Sequence, residues 1–227
     1  MSLLRHIPNA LTCSNLICGC LGIISLFTNK LEPAYFIWAA CVFDFLDGFA
    51  ARLLKVSSPI GKELDSLADV VSFGVLPALA VYTWIDPNTH LYLPYLALLI
   101  AVFSALRLAK FNIDTNQTDS FIGVPTPANA LFLSALPFLP EAIRLAVFSP
   151  YVLAAIAIVC SLLLVAPLPL FALKFKTFRW QGNQLRFTFL GISVLLLLAL
   201  HAGAIPFIIL FYIGVSLISR LAGVEKK

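Results

Sequence analysis

Residues 44–69 read DFLDGFAARLLKVSSPIGKELDSLAD. Asp44 and Asp47 stand three apart, and Asp65 and Asp69 four apart, so on helices each pair shares one face. Arg52 lies eight residues beyond Asp44 and four beyond Gly48, which keeps it near the first pair's face. Pro59 and Gly61 interrupt the helical pattern and predict a tight turn over residues 55–61. On both sides the chain is hydrocarbon, with 34–54 and 63–84 each near the ~20 residues that span a bilayer core. The stretch therefore reads as a transmembrane hairpin. Its facing helices bring two carboxylate pairs together just within one boundary of the membrane.

The rest of the chain agrees with that placement. Of 227 residues, 61% are hydrophobic and 11% charged, and the mean hydropathy is +0.98. This composition belongs to polytopic membrane proteins and leaves no room for a sizeable soluble domain. Nothing in it points to a nucleic-acid partner. Apolar runs separated by polar, Pro or Gly breaks give about eight expected spans: 11–28, 34–54, 63–84, 92–111, 123–140, 150–171, 187–201 and 205–221. The division of the last two rests on Gly203 and Pro206. Residues 11–28 read as a retained first span, because the preceding residues lack a basic n-region and a small-residue cleavage site. With the N-terminus cytoplasmic, 13 of the 15 Lys and Arg residues fall on the inner side, leaving Lys30 and Arg144 outside. The positive-inside rule then expects both termini in the cytoplasm. The sequence predicts one all-α integral membrane domain over 1–227, a polytopic helical bundle. Leu173–Trp180 mixes bases with aromatics and reads as an interfacial segment on the inner leaflet.

Cysteines 13, 18, 20, 41 and 160 sit in apolar runs without a Cys-x-x-Cys pair and read as packing residues. Histidines 6, 90 and 201 are scattered at loop or span ends, which points away from histidine ligation. The aspartates differ. Five of the eleven acidic residues, four of them aspartates, occupy 26 positions, and a charge at bilayer depth costs at least ~2.5–3.5 kcal/mol. Four together repel one another, so some must be neutralised by protons or cations. Oxygen-only ligands suit hard ions such as Mg²⁺, Mn²⁺ or Ca²⁺. Four carboxylates can hold two of them, an arrangement used in phosphoryl chemistry. Gly48 and Gly61 let a phosphate-bearing ligand approach the backbone, Ala51 leaves space, and Arg52 offers a planar cation. Two other readings stay open on these residues alone: structural ion pairs between helices, and relay carboxylates of a cation-coupled transporter. The second fits less well, because transporter sites lie near mid-bilayer.

The motif D-x2-D-G-x2-A-R-x8-G-x3-D-x3-D, running from Asp44 to Asp69, resembles the signature of the CDP-alcohol phosphatidyltransferase family without departure. The resemblance implies a binuclear site for two divalent cations, Mg²⁺ or Mn²⁺. Asp44, Asp47 and Asp65 would be metal ligands, and Asp69 a ligand that also serves as the catalytic general base. Gly48, Ala51, Arg52 and Gly61 are the positions associated with the CDP moiety. Further residues are similar to the branch of bacterial and archaeal membrane phosphatidylserine synthases: 7–16, with Asn9, Thr12 and Asn15; 65–78, with Ser72 and Gly74; Arg107-Leu-Ala-Lys110-Phe-Asn112; and Phe121-Ile-Gly-Val-Pro125-Thr126-Pro127. The likeness covers roughly residues 5–130, and the last three spans match only in hydrophobic character. Lys110 stands where many members carry Arg.

On this resemblance, residues 1–171 form a six-helix catalytic core, followed by the interfacial segment and two further helices in 172–227. The implied reaction moves a phosphatidyl group from CDP-diacylglycerol to L-serine, in the cytoplasmic membrane of a prokaryote, with the site facing the cytoplasm. Asn9 and Thr12 join the CDP-lipid contacts; Arg107, Lys110 and Asn112 form the expected acceptor pocket, their cations suiting serine's carboxylate. Another acceptor, glycerol 3-phosphate or an inositol compound, would keep the same chemistry. A homodimer is the family-level expectation.

Overall fold

The computed structural model describes residues 6–28, 32–56, 58–86, 91–113, 121–170 and 183–221. In chain order the helices are α1 (Ile7–Thr28), α2 (Pro33–Leu54), α3 (Pro59–Asp69), α4 (Leu76–Trp84), α5 (Leu98–Ile113), α6 (Thr126–Ser134), α7 (Glu141–Val147), α8 (Pro150–Val165), α9 (Gln184–Leu200) and α10 (Ala204–Leu221). A π-helical segment, Val70–Val75, joins α3 to α4 without a break. Strands β1 (Phe121–Ile122) and β2 (Pro169–Leu170) pair antiparallel and tie the entry of α6 to the exit of α8. Leu173–Trp180, the expected interfacial segment, lies outside the described residues.

Among the described residues, five apolar stretches are long enough to cross a membrane, or six if the bent pair Thr126–Phe138 and Glu141–Val147 forms one span. The polytopic, helical character expected from composition is present on that count. One of the five, Gln184–Ile218, runs for 35 residues yet folds back on itself. In a straight helix residues 189 and 211 would lie roughly 33 Å apart. Phe189 instead stacks on Phe211, with ring centroids 5.6 Å apart, and meets Tyr212 at 5.7 Å. The reversal is made at His201, whose φ of 49° takes the chain out of the helix. α9 and α10 are therefore antiparallel neighbours, broken where Gly203 and Pro206 led the sequence to expect it.

Three expected boundaries move. Pro59 does not end a turn; it starts α3 at the first helical position, where a missing N–H costs nothing. Ser58 caps that helix by accepting from the Gly61 N–H at 3.0 Å, so Gly61 lies inside α3. The fifth expected span, 123–140, holds helix only to Ser134, then a short 3₁₀ turn, and bends by 116° into α7. Pro137 and Pro140 lack the N–H groups needed to continue it. The sixth, expected to reach 171, ends at Val165 before Pro167 and Pro169.

α1 is patterned inside out. Beyond Pro8 its buried residues are small or polar (Thr12, Asn15, Gly19, Gly22 and Ser25), whereas Ile17, Leu21, Ile24 and Phe27 are exposed. Helices packed in lipid use small residues at contacts because the hydrocarbon outside is no worse than the inside. At Gly19 the approach is close: a β-carbon would lie 2.5 Å from Ser72 Oγ and 3.0 Å from its Cα. Gly19→Leu is thus expected to destabilise by about 1–3 kcal/mol, seen as a lower melting midpoint in detergent. Gly214→Ala, at a glycine with open space around it, should leave the midpoint in place.

The π segment has a local cause and a structural result. Pro77 cannot donate into the helix, and the preceding turn widens, with the Leu76 N–H reaching Val71 O. Ser72, within that widened turn, donates its hydroxyl to Asn15 O at 2.9 Å. Phe73 and Leu76 pack with Ile37 and Ala40 of α2 and Ala130 of α6. A second core joins α4, α5, α6 and α8 through Val81, Ile100, Leu133 and Leu153. Between them these contacts fix α2, α3 and α5 about α1, around the carboxylates.

Candidate metal centre and nucleotide cleft

Asp44 and Asp47 project from the last turns of α2, and Asp65 from the middle of α3. One carboxylate oxygen from each lies within 4.8 Å of those of the other two. Thr12 Oγ1 donates to Asp47 Oδ2 at 2.6 Å. Asp65 Oδ1 is buried and has no hydrogen-bond partner. Three anionic groups so close, partly removed from water, repel strongly unless positive charge sits among them. A buried carboxylate oxygen without a hydrogen-bond donor is suited to ligate a cation. The set is oxygen only, which fits a hard divalent ion and not zinc or copper.

Asp69 stands apart from this triad, at the end of α3 and 7% exposed. Asn15 Nδ2 donates to its Oδ1 at 3.0 Å. The backbone carbonyl of the same Asn15 accepts from Ser72, so α1 holds both Asp69 and the wide turn that follows it. Thr12 and Asn15, three apart on α1, thus reach carboxylates on two different helices.

Beside the triad a cleft of about 590 Å³ opens between α1, α2 and α3, with Asn9, Thr12, Gly48, Ala51 and Gly61 in its walls together with Asp47 and Asp65. A β-carbon on Gly48 would meet nothing within 4 Å, so the backbone there faces open space. Gly61 has a packing reason: a β-carbon would crowd Ser58 Oγ and Asn9 Oδ1 at 2.9 and 3.0 Å. Arg52 does not line the cleft. It is exposed, and its Nε donates to Gly48 O at 3.0 Å on its own helix.

Arg107, Lys110 and Asn112 do not converge on one pocket. Arg107 is largely buried within electrostatic reach of Asp69. Its Nη1 donates to Thr126 Oγ1 at 3.3 Å, and its Nε has no partner. Lys110 is exposed on the next turn. Asn112 joins α5 to α3: its Nδ2 donates to Ser66 Oγ at 2.9 Å, and its backbone carbonyl accepts from Lys62 Nζ at 2.8 Å.

The sequence profile of the CDP-alcohol phosphatidyltransferase family matches residues 5–217. The chain belongs to the CDP-alcohol phosphatidyltransferase family. Among curated relatives, a CDP-diacylglycerol–serine O-phosphatidyltransferase of Bacillus subtilis is 40% identical over 150 residues, 63% of this chain and 82% of that protein. Enzymes of the same name from Helicobacter pylori and Methanocaldococcus jannaschii are each 40% identical, over 129 and 127 residues, 56% of this chain in both cases. Those matches span 54% and 58% of the relatives' own lengths.

Two cleft residues are not fixed positions of the signature of the CDP-alcohol phosphatidyltransferases, and the sequence marks them only as inner-leaflet charges. Lys55 and Lys62 line the cleft from either end of the α2–α3 connection. Lys55 adopts the left-handed conformation, φ 52° and ψ 42°, costly for a residue with a side chain. Its N–H bonds Arg52 O at 3.3 Å, and that of Val56 bonds Ala51 O at 3.0 Å. This pair is the Schellman closure of a helix, usually made by glycine. A Lys where Gly is favoured was the available signal.

Proposed function

We propose that this protein transfers the phosphatidyl group of CDP-diacylglycerol to L-serine, giving phosphatidylserine and CMP. The observation that carries the reading is the Asp44–Asp47–Asp65 cluster at the wall of a cleft whose glycine, Gly48, opens towards it. The names of the relatives supply the acceptor.

Asp44, Asp47 and Asp65 would hold two divalent cations, Mg²⁺ or Mn²⁺, with Asp69 as a further ligand. Metal held there would supply positive charge to the diphosphate and to the departing CMP. Asn9, Thr12, Gly48, Ala51 and Gly61 receive the nucleotide, and Lys55 and Lys62, which line the cleft, add positive charge near its phosphates. Asp69 accepts the proton of the serine hydroxyl as that oxygen bonds to the lipid-side phosphorus; the bond to the CMP oxygen breaks on the opposite side. Asn15 occupies Asp69 Oδ1, which leaves Oδ2 for the proton. Arg107, whose Nε has no partner and which lies within electrostatic reach of Asp69, suits the serine carboxylate better than exposed Lys110.

The full reading has eight membrane-crossing segments, both termini and the site at the cytoplasmic side, and a homodimer in the cytoplasmic membrane of a prokaryote. The basic residues at the site's end of the bundle support that orientation.

Purified protein given CDP-diacylglycerol, Mn²⁺ or Mg²⁺ and a panel of alcohols should release CMP only with serine. Release with glycerol 3-phosphate or an inositol compound instead would overturn the acceptor; release with none would overturn the enzyme. Lys55→Gly should separate two effects of opposite sign. It relieves the left-handed strain, worth about 1 kcal/mol or less, and raises the melting midpoint. It also removes a positive charge from the cleft, so KM for CDP-diacylglycerol should rise about five- to tenfold.

A further inference from the structure

A second cavity, of about 420 Å³, lies between α6, α8 and α10, away from the carboxylates. It shares no lining residue with the nucleotide cleft. Its walls are apolar, among them Phe132, Ile156, Leu163 and Ile213, with one side-chain amide, that of Asn129. Asn129 is 3% exposed, and its Nδ2 has no hydrogen-bond partner. A buried amide donor without an acceptor is destabilising, and in hydrocarbon no water can relieve it.

Helix geometry separates this cavity from the donor site. At 100° per residue, the face of α6 carrying Asn129 and Phe132 lies about 150° from the face carrying Ala130 and Ser134. The latter face meets α2: Ala130 packs with Ile37 and Ala40, and Ser134 Oγ accepts from Trp38 Nε1 at 3.1 Å. The groove instead opens sideways onto the apolar exterior, where Tyr151, Val159 and Leu210 are exposed. From Leu163 to Tyr151 it follows α8 for roughly 18 Å, the reach of a long acyl chain. Asn129 stands one turn inside the N-terminus of α6, whose Thr126 bonds Arg107. That end of the bundle is the one bearing the carboxylates.

We infer that this groove is a binding site for a bilayer glycerophospholipid, separate from the CDP-diacylglycerol site. One acyl chain lies along α8 and α10, and its ester carbonyl accepts the Asn129 Nδ2–H. An ester carbonyl is the acceptor that a membrane supplies at the edge of its hydrocarbon, and the chain below it matches the walls. The inference goes beyond the proposed reaction and needs no turnover to test.

The full chain is reconstituted in phosphatidylglycerol vesicles with a trace of phosphatidylglycerol bearing a diazirine midway along one chain, then irradiated and mapped by peptide. Label should concentrate on residues 156–163 and 209–213 and saturate. Asn129→Leu should lower it about five- to tenfold, the loss of one hydrogen bond, and Asn129→Gln should restore part of it. Ala155→Trp, at an exposed groove position, should block labelling with the amide intact. Gel filtration and melting of each variant keep unfolding from passing as loss of the site. Label spread evenly over the lipid-facing helices and indifferent to these changes overturns the proposal. So does its chase by CDP-diacylglycerol at the concentration that half-saturates CMP release, which assigns the groove to the substrate. Label that grows only on dilution assigns it to contact between two copies and overturns it equally. Absence of CMP release would sink the reaction proposed above while leaving this labelling pattern to stand or fall alone.

Discussion

Asp69→Asn is expected to purify folded, to bind CDP-diacylglycerol nearly as before, and to lose turnover by about 10²- to 10⁴-fold, the usual contribution of a positioned general base. The substitution keeps the shape of the side chain and removes its ability to take a proton. Its amide oxygen can still accept from Asn15 Nδ2, so the contact to α1 survives. Asp69→Ala does not preserve that contact. It leaves a fully buried amide unpartnered, at about 1–3 kcal/mol, and should lower the melting midpoint as well as the rate. Comparing the two variants by CMP release, CDP-lipid binding and melting therefore separates chemistry from packing. Full activity in Asp69→Asn would remove the base role outright.

Asp65→Asn should be the other severe change, and its stability effect depends on whether cation is present. The substitution replaces the carboxylate whose Oδ1 is buried and unpartnered. Loss of one ligand should cost at least several kcal/mol of transition-state stabilisation, or about 10³-fold or more in rate. A Mn²⁺ titration of the protein alone reads the same loss without any turnover. Without divalent cation, removing one of three crowded negative charges relieves repulsion, and the variant should melt at or above the parent. Adding Mg²⁺ should raise the parent's midpoint and leave the variant's where it was, because only a ligand that binds the folded form stabilises it. A parent indifferent to Mg²⁺ and Mn²⁺ in both melting and rate would dispose of the metal centre.

Much of this site was legible in the sequence because its chemistry is written in spacing. Asp44 and Asp47 at three, and Asp65 on the next helix, needed only a hairpin to meet, and the structure brings their oxygens within 4.8 Å. The Gly48 and Ala51 positions followed from the same helical face. Where side chains are long or helices irregular, spacing failed. Arg52 shares the face yet folds back onto Gly48 O, since an exposed guanidinium finds a carbonyl on its own helix. Arg107 and Lys110, three apart, divide between interior and exterior because the face of α5 that contacts its neighbours is narrow. Lys62 and Asn112 are 50 residues apart, and no local pattern announces a bond across two helices. Proline acts in opposite ways along this chain. Pro59 begins a helix instead of ending a turn, whereas Pro137 and Pro140 stop the fifth span short and Pro77 widens a turn of the third.

One contact pattern bears on how such a chain enters a membrane at all. Thr12 and Asn15 of α1 hold Asp47 and Asp69, which arrive later in the chain on α2 and α3. During synthesis the first helix is in the bilayer before the acidic hairpin emerges. Each aspartate that would be rejected by bare lipid, at ~2.5–3.5 kcal/mol, meets a waiting donor instead. On this view α1 acts as an internal insertion chaperone for the helices that follow. A chain carrying Thr12→Val and Asn15→Leu should then show its defect first in biogenesis, as hairpins left unintegrated, before any assay of the finished enzyme.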